Sequence, residues 1–571
     1  MSFVRVINSI CRKILASIFD WIEHISHPYP WYTGLAFNIL LRSSKVFRRR
    51  QLKALYQDPN SIKLLPNPVY FLHIPKTAGS SLKYWLSDLF GPERTLELYT
   101  LSSLAEQLPY QIRSYQYYTG HLGLSLSEFL SQDFKIDTFT WLRDPVKREI
   151  SQYNYIRQTG AAQIQMRPGP ELKNYINGVS QFSIAELCHS DVYQGYYDNL
   201  QTRMLGGLVP PQSYGESCPL KSLKNSFDSS KEQPEDSFGP SNLHQNQRLT
   251  MALSTLQICQ QHHLKDEEFV ERAKTKLLSL SHFGICEWMQ ASVDLFCYCF
   301  ALPPQTFHYQ LNSYSKKFGV TNIDELNTVY QCNLLDHDLY QFALKEFRNR
   351  IRTMWQDLCL NHTPFVKEYI SNSSFWQSYY PSSEEVEVDI LLNNWDKPEL
   401  QNLINALLLE NFQKRRTTDT RYQRFLFSFS EPAFWLGWHP RDYDSTSKTW
   451  FRWARPDTEA SIFLPLAADQ NYRIVFRVLH YANLDTLKSI RLFVSGTEIP
   501  LDSMVIDNDS VIEGFLFTGF VPASLVILSR PYTQFTFKTN QVIQLKFPER
   551  PEISPDNASF ALSNFLAFST G

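Results

Sequence analysis

The sequence lacks the cysteine pattern of a disulfide-stabilised or zinc-binding protein. Its nine cysteines are dispersed, form no C-x-x-C pair, and do not occur beyond Cys359. Both a disulfide framework and a zinc site need paired or regularly spaced cysteines. We therefore expect reduced thiols in a cytoplasmic protein, with Cys297 and Cys299 packed in a core.

An excess of charge and an abundance of glycine are also missing. The formal net charge is −2, and only 20 of 571 residues are glycine. Nucleic acids attract proteins with a basic surplus, so no nucleic-acid partner is expected and any basic site must be local. The length predicts about three or four globular domains, at roughly 100–200 residues each.

Residues 1–65 lack the apolar run and small-residue cleavage site of a signal peptide. Up to Arg50, eight basic residues stand against two acidic ones, which predicts a basic helical segment. It could lie on a membrane surface as a peripheral contact, or pack against the main domain. Residues 24–41 carry no Asp, Glu, Lys or Arg and are nearly long enough to span a bilayer, but their histidines and prolines weaken that interpretation.

From about Pro66, short apolar runs alternate with amphipathic helical patterns. The predicted strands are Val69–Ile74, Gln111–Thr119, Thr138–Leu142 and Leu280–Cys286, and the first predicted helix is Ser80–Phe90. This alternation predicts an α/β domain, a three-layer sandwich with a central parallel sheet. Ligands of such domains bind at the carboxyl ends of the strands.

Shifts in composition divide the chain further. We expect the α/β domain to cover residues 66–370, with a flexible polar insertion at 212–248, and a linker with one short helix, Pro398–Phe412, at 371–424. In residues 425–571, segments such as Tyr472–Val478 and Val542–Phe547 alternate with period two. That pattern predicts an all-β sandwich or jelly roll.

The most informative stretch follows the first predicted strand. His73-Ile-Pro-Lys-Thr-Ala-Gly-Ser-Ser-Leu82 passes through a lysine and a small-residue turn into a helix. Backbone N–H groups at a helix N-terminus converge on one point and, with Lys76, favour a phosphate or a similar anion. Because Lys76 precedes Gly79, the spacing differs from that of a nucleoside-triphosphate P-loop, which argues against a nucleotide kinase.

Two further strand ends carry polar residues. His121 follows the second predicted strand, and Arg143 follows the strand that ends at Leu142. Asp144 and Pro145 are suited to be the N-cap and first residue of the next helix, which carries Ser151. Since the ends of parallel strands share one edge of a sheet, these residues are expected to converge with Lys76.

Both motifs resemble those of sulfotransferases that use 3′-phosphoadenosine 5′-phosphosulfate (PAPS), in the branch containing the heparan sulfate 2-O- and 6-O-sulfotransferases. Residues 73–82 resemble the 5′-phosphosulfate loop, and Leu142-Arg-Asp-Pro-Val-Lys-Arg-Glu-Ile-Ser151 resembles the 3′-phosphate motif, with Arg and Ser eight residues apart. Weaker similarities occur at 120–121, 199–203 and 283–287. The resemblance covers roughly residues 66–370 and implies a P-loop-like fold.

The resemblance implies roles for individual residues. PAPS would be the sulfate donor, a carbohydrate hydroxyl the expected acceptor, and His121 the general base. The residues expected to hold the 5′-phosphosulfate are Lys76, Thr77, Ala78, Gly79, Ser80 and Ser81. Arg143 and Ser151 would hold the 3′-phosphate, since a guanidinium can grip two oxygens. No metal is expected, because no ligand set with suitable spacing occurs.

Several alternatives stay open at this point. Glu149 and Glu287 rival His121 as the base, and Asn199, Gln201 and Arg203 could face the acceptor or hold the fold. The aromatic cluster Trp435, Trp438, Trp450, Phe451 and Trp453 is expected in a core, with a sugar-binding platform as the rival. The alternative for the whole chain is a glycan-binding or scaffold protein with a degenerate sulfotransferase domain.

Overall fold

The fold is taken from a computed structural model of the chain. It describes residues 64–99, 115–131, 134–165, 170–193, 197–207, 266–305, 322–361, 388–416, 421–429, 433–445, 449–455, 459–481, 483–505, 514–540, 543–544 and 557–570. The predictions for the N-terminal segment up to residue 63 and for the 212–248 insertion fall outside these residues.

The first part of the chain contains a parallel sheet of five strands in the order β2-β3-β1-β4-β5. The strands are β1 (Val69–Leu72), β2 (Thr95–Leu98), β3 (Tyr117–Gly120), β4 (Asp137–Leu142) and β5 (His282–Ile285). All residues of β1, β3 and β5 are buried, as parallel strands covered on both faces require. The predicted α/β domain with a parallel sheet is thus present.

Helices connect and surround these strands. They are α1 (Gly79–Phe90), α2 (Gly123–Leu130), α3 (Pro145–Gln165), α4 (Pro170–Gln181), α5 (Ile184–Cys188), α6 (Leu200–Leu205), α7 (Asp266–Ser279), α8 (Met289–Phe300), α9 (Ile323–Gln331) and α10 (Leu334–Asn361). Asp144 caps α3 as predicted, because its Oδ1 accepts a hydrogen bond from the Lys147 N–H at 2.9 Å. Within α8, Cys297 is buried, as expected, and Cys299 is partly buried.

Two boundaries differ from the predictions for a local reason. β1 ends at Leu72 instead of Ile74, and α1 begins at Gly79 instead of Ser80. The His73 N–H still donates to the Gly120 carbonyl oxygen at 3.1 Å, but Pro75 carries no N–H and cannot extend the ladder. The six residues between β1 and α1 therefore form a tight turn.

The later part of the chain is rich in antiparallel strands. They are β6 (Arg424–Ser428), β7 (Phe434–Leu436), β8 (Asp442–Asp444), β9 (Thr449–Trp453), β10 (Ala460–Leu464), β11 (Tyr472–Tyr481), β12 (Arg491–Val494), β13 (Thr497–Ile499), β14 (Leu501–Val505), β15 (Phe515–Val521), β16 (Thr533–Lys538), β17 (Ile543–Gln544), β18 (Asn557–Ala558) and β19 (Phe560–Ser569). One short helix, α13 (Leu484–Ser489), follows β11.

These strands form a five-stranded and a seven-stranded sheet, with β17 and β18 paired separately. Aromatic rings connect the two large sheets: the centroids of Phe476 and Phe537 lie 5.2 Å apart, and those of Phe535 and Phe565 lie 5.0 Å apart. The predicted β-rich region is therefore present, while its jelly-roll topology stays a prediction.

Two helices join the α/β and β-rich regions, α11 (Val388–Asn393) and α12 (Pro398–Arg415). Helix α12 extends three residues beyond the predicted Phe412, and α11 was not predicted. The Phe412 ring lies 5.0 Å from Phe434 and 5.2 Å from Phe463, measured between centroids. Because one continuous hydrophobic cluster includes residues of both regions, the two share a core.

None of the helices in the described part of the chain is long and apolar enough to cross a membrane. Residues 24–41, considered above as a span, lie outside that part.

Candidate anion-binding site

The candidate site is built at the middle of the parallel sheet. Strand β1 lies between β3 and β4, and Leu72 is level with Gly120 on one side and Thr140 on the other. The chain leaves each of these strands at the same edge and continues into the segments that carry Lys76, His121 and Arg143. The predicted convergence of these three residues follows from this strand order.

Residues 76–81, called the cradle below, have an unusual backbone. Lys76 and Ala78 adopt positive φ angles of 69° and 61°, a strained conformation for residues with a side chain. The Thr77 hydroxyl donates to the Ile74 carbonyl oxygen at 2.9 Å and helps to hold the turn. Ala78 is the N-cap of α1, and its methyl group accepts no hydrogen bond from the first-turn N–H groups. Those groups are left to an external acceptor.

Gly79 is needed because the cradle passes very close to His73. A Cβ atom at Gly79 would lie only 1.8 Å from Nε2 of His73. Any larger residue would push the imidazole and the first turn of α1 apart. Of the two cradle serines, Ser80 is exposed and Ser81 is buried. Only Ser80 thus presents its side chain openly to solvent.

Two cationic side chains meet at the cradle. A guanidinium N–H of Arg143 (Nη1) donates to the Lys76 carbonyl oxygen at 3.1 Å, and among the described residues no carboxylate forms an ion pair with this guanidinium. Burial, together with the positive charge of Arg143, lowers the pKa of Lys76 to about 8. Anionic groups bound beside the two side chains would relieve this repulsion.

Helix α3 contributes to the same place. The Lys76 ammonium nitrogen lies 4.2 Å from the centroid of the Tyr155 ring, a cation–π contact. Ser151 is partly buried and lies one helical turn before Tyr155, so the two share a helix face. The role of Tyr155 was not predicted, although its four-residue spacing from Ser151 is visible in the sequence.

The side chain of Gln201 fixes the backbone of Arg143. Its Oε1 accepts a hydrogen bond from the Arg143 N–H, and its Nε2 donates to the Arg143 carbonyl oxygen, both at 2.9 Å. Asp336 in turn accepts the N–H of Gln201 at 3.2 Å and that of Thr202 at 2.7 Å. Gln201 therefore holds the fold and positions Arg143, which settles the alternatives for this residue.

Asn199 and Arg203, which belong to the same segment 199–203 as Gln201, also hold the fold. Oδ1 of Asn199 accepts the N–H groups of Leu335 and Asp336 at 2.9 and 3.1 Å and so caps α10. Arg203 forms an ion pair with Asp198 at 2.8 Å.

His121 is partly buried beside the cradle. Its Nδ1 lies 2.7 Å from the His73 carbonyl oxygen, which can only accept, so Nδ1 carries the hydrogen and Nε2 keeps a lone pair. The rings of His73 and Tyr99 flank it, with centroids 4.4 and 5.1 Å away. Burial, aided by the charge of Lys83 and opposed by the bond to His73, lowers the pKa of His121 to about 4. The imidazole is thus neutral at physiological pH.

Glu149 and Glu287, the alternatives to His121 as the general base, have structural roles. Glu149 is fully buried in an ion pair with Arg148. Glu287 accepts the Asp144 N–H at 3.2 Å and the Tyr340 hydroxyl at 2.7 Å. Both side chains are thus engaged in contacts within the fold.

Of the five aromatic residues considered as a sugar platform, three are buried as expected for a core: Trp435, Trp438 and Phe451. Trp450 and Trp453 are partly buried. Within the described residues, no group of three or more His, Cys, Asp or Glu side chains is arranged to hold a metal ion.

Comparisons with known proteins add little. No protein-family model matches the chain, and no curated protein matches it. Among solved structures, one similar chain is a family GH115 4-O-methyl-alpha-glucuronidase with specificity for decorated arabinogalactans, at 9% identity and a TM-score of 0.14. The match covers 90% of this chain and 54% of the glucuronidase, and with so low a TM-score it supports no conclusion about fold or function.

Proposed function

We propose that this protein is a sulfotransferase that transfers the sulfuryl group from PAPS to a hydroxyl group of an acceptor, with a carbohydrate as the expected acceptor class. The observation that carries the proposal is the meeting of Lys76 and Arg143 beside an uncapped helix N-terminus, with a neutral histidine next to them. The motif resemblance described above supplies the identity of the donor.

The residues fit a nucleotide with phosphate groups at both ends. Lys76 and the first-turn N–H groups of α1 offer one anion site, and the absence of a Cβ at Gly79 keeps the cradle close to His73. Arg143 and Ser151 follow a different strand and offer the second. PAPS, when bound, supplies an activated sulfuryl group on a phosphate leaving group.

The protein's own task is then positioning and charge stabilisation, as in phosphoryl transfer. Lys76 would stabilise negative charge on the leaving phosphate, and Arg143 would grip the 3′-phosphate through its planar fork. Nε2 of His121 would accept the proton of the acceptor hydroxyl, because its Nδ1–H is committed to the His73 carbonyl oxygen.

We expect 3′,5′-adenosine bisphosphate, the desulfated form of PAPS, to raise the melting temperature of the full chain by several degrees. At a hundred times its dissociation constant, a ligand stabilises the native state by about 2.7 kcal/mol. Lys76→Ala and Arg143→Ala should both reduce the shift and abolish transfer of labelled sulfate. Differential scanning fluorimetry and mass spectrometry of incubated glycans are the measurements.

His189, an exposed residue at the C-cap of α5 that makes none of the site contacts described above, provides a control, because His189→Ala should keep the full thermal shift. No shift of the unmodified protein at millimolar 3′,5′-adenosine bisphosphate would refute the proposal. Ligand binding without sulfate transfer to any glycan would favour the alternative of a glycan-binding protein with a degenerate enzyme domain.

Binding of 3′,5′-adenosine bisphosphate should weaken as the pH rises above 8. The ligand needs the charged form of Lys76, whose lowered pKa of about 8 means that the ammonium loses its proton there. Each further pH unit should raise the dissociation constant by about tenfold, as expected when binding takes up one proton. Isothermal titration calorimetry at pH 7, 8 and 9 measures this.

Lys76→Arg is the matched variant for that titration, because arginine stays charged throughout the range. Its affinity, whatever its value at pH 7, should change little up to pH 9. Equal affinities of the unmodified protein at pH 7 and pH 9 would contradict the assignment of Lys76.

A further inference from the structure

The position of the His73 imidazole is not explained by the roles assigned so far. It is 7% exposed and lies between the cradle and His121, in contact with both. It also stacks against Phe71, with ring centroids 5.4 Å apart and an angle of 10° between the planes. The ring is therefore held firmly between strand β1 and the first turn of α1.

The two ring nitrogens of His73 face different surroundings. Nδ1 is fully buried and has no hydrogen-bond partner among the described residues. Nε2 lies against Gly79, at 1.8 Å from where that residue's Cβ would be. Nε2 therefore lies against the first residue of α1, where the helix N-terminus of the cradle begins. Of the two ring nitrogens, Nε2 is the one on the side of the cradle.

The ring is neutral at physiological pH. Burial, reinforced by the neighbouring His121, Lys83 and Lys76, lowers the pKa of His73 well below its ordinary value. A neutral imidazole carries one N–H group, and a hydrogen on Nε2 would have an anionic acceptor available in the cradle, whereas a hydrogen on Nδ1 would have none.

We propose that His73 is a catalytic hydrogen-bond donor, with its neutral Nε2–H directed at the oxygen of the leaving 5′-phosphate. This deepens, and rests on, the proposed sulfotransferase function. A neutral donor at a point where negative charge develops stabilises the transition state without adding another full charge beside Lys76 and Arg143.

His73 and His121 have different roles in the proposed sulfuryl-transfer step. The bond between sulfur and the bridging phosphate oxygen breaks, and a bond between sulfur and the acceptor oxygen forms. His121 takes the acceptor's proton on Nε2. His73 keeps its own proton throughout and shares it with the phosphate oxygen as negative charge accumulates there, so no further reactant is required.

Three variants test this role. His73→Phe keeps a ring without a donor, His73→Asn is too short to place its amide at the Nε2 position, and His73→Gln can return an N–H there. We expect the first two to lower kcat by about 10²-fold, the usual loss for one such donor, while the affinity for 3′,5′-adenosine bisphosphate changes less than about threefold. His73→Gln should recover a large part of kcat.

The assay follows release of 3′,5′-adenosine bisphosphate from PAPS, with chemically desulfated heparin and unsulfated dextran as acceptor probes and with water alone. His282→Phe is the matched control. His282 is also fully buried and packs on Trp141. It is, however, the first residue of the outer strand β5, whereas the site lies beyond the last residues of the strands. It should change stability without a selective loss of kcat.

A His73→Phe or His73→Asn variant with kcat within threefold of the unmodified protein would overturn the proposal. So would a parallel loss of nucleotide binding and kcat that His73→Gln does not rescue, since that describes a structural residue. Failure of the proposed function is a separate result, because the unmodified protein would then show neither a thermal shift nor turnover of PAPS.

Discussion

Replacing His121 with alanine should lower kcat by about 10² to 10⁴-fold, the range for loss of a general base. The affinity for 3′,5′-adenosine bisphosphate should stay within about threefold, because the imidazole lies beside the cradle and not among the anion-binding groups. Steady-state sulfate transfer and calorimetry measure the two quantities. A kcat within threefold of the unmodified protein would remove His121 from the mechanism.

The pH profile adds a second signature of the same residue. Since burial lowers the pKa of His121 to about 4, the base is already unprotonated at neutral pH. The contribution of His121 should therefore appear as a fall in kcat/KM on the acid side, as protonation near pH 4 removes the Nε2 lone pair, separate from the fall above pH 8 expected from Lys76. His121→Ala should lose this acid limb, whereas His189→Ala, altered at an exposed position, should retain it.

Replacing Asp88 with alanine should lower the free energy of unfolding by about 3–5 kcal/mol, the usual cost of leaving a buried charge unpaired. Asp88 lies near the end of α1, and its two carboxylate oxygens bind Arg452 of β9 at 2.5 and 3.0 Å. The Arg452 side chain is only 2% exposed. Urea denaturation followed by circular dichroism gives the difference.

Two further variants make this result specific. Asp88→Asn keeps one acceptor oxygen and should cost less than Asp88→Ala. Glu498→Ala removes the partner of Arg491 in an ion pair that is exposed on both sides, and it should have little effect on stability. Equal denaturation midpoints for Asp88→Ala and Glu498→Ala would show that the buried pair does not join the two regions.

Helix α1 carries both the cradle and Asp88, which matters for interpreting variants at either place. Helix α1 begins at the cradle and meets the β-rich region through Asp88 and the nearby Ser87, whose carbonyl oxygen accepts a hydrogen bond from Arg441 at 3.0 Å. Removing the β-rich region would expose part of a shared core as well as this contact. Point variants are for this reason better tests of its role than truncation.

Local patterns predicted most of the elements near the site. The apolar run of β1 and the N-cap at Asp144 occur in the structure as expected, and the predicted helix α1 is present with Leu82, Trp85, Leu86 and Leu89 buried. These features depend on short-range rules of burial, capping and periodicity. The errors were in boundaries and in short elements that were not predicted, such as strand β2 (Thr95–Leu98) and helix α11, where a few residues give only a weak periodic signal.

The sequence by itself determined the order of strand, cradle and helix, the positions of Lys76 and Arg143 after two strands, and the change from α/β to β-rich structure. Only the tertiary structure decided which residues touch. Gln201 binding the Arg143 backbone, Tyr155 beside Lys76, and His73 filling the space left by Gly79 all depend on how distant segments pack. Pairing across such separations is set by the whole core, and no local pattern encodes it. The cradle itself could therefore be recognised in the sequence, but the partners that tune it could not.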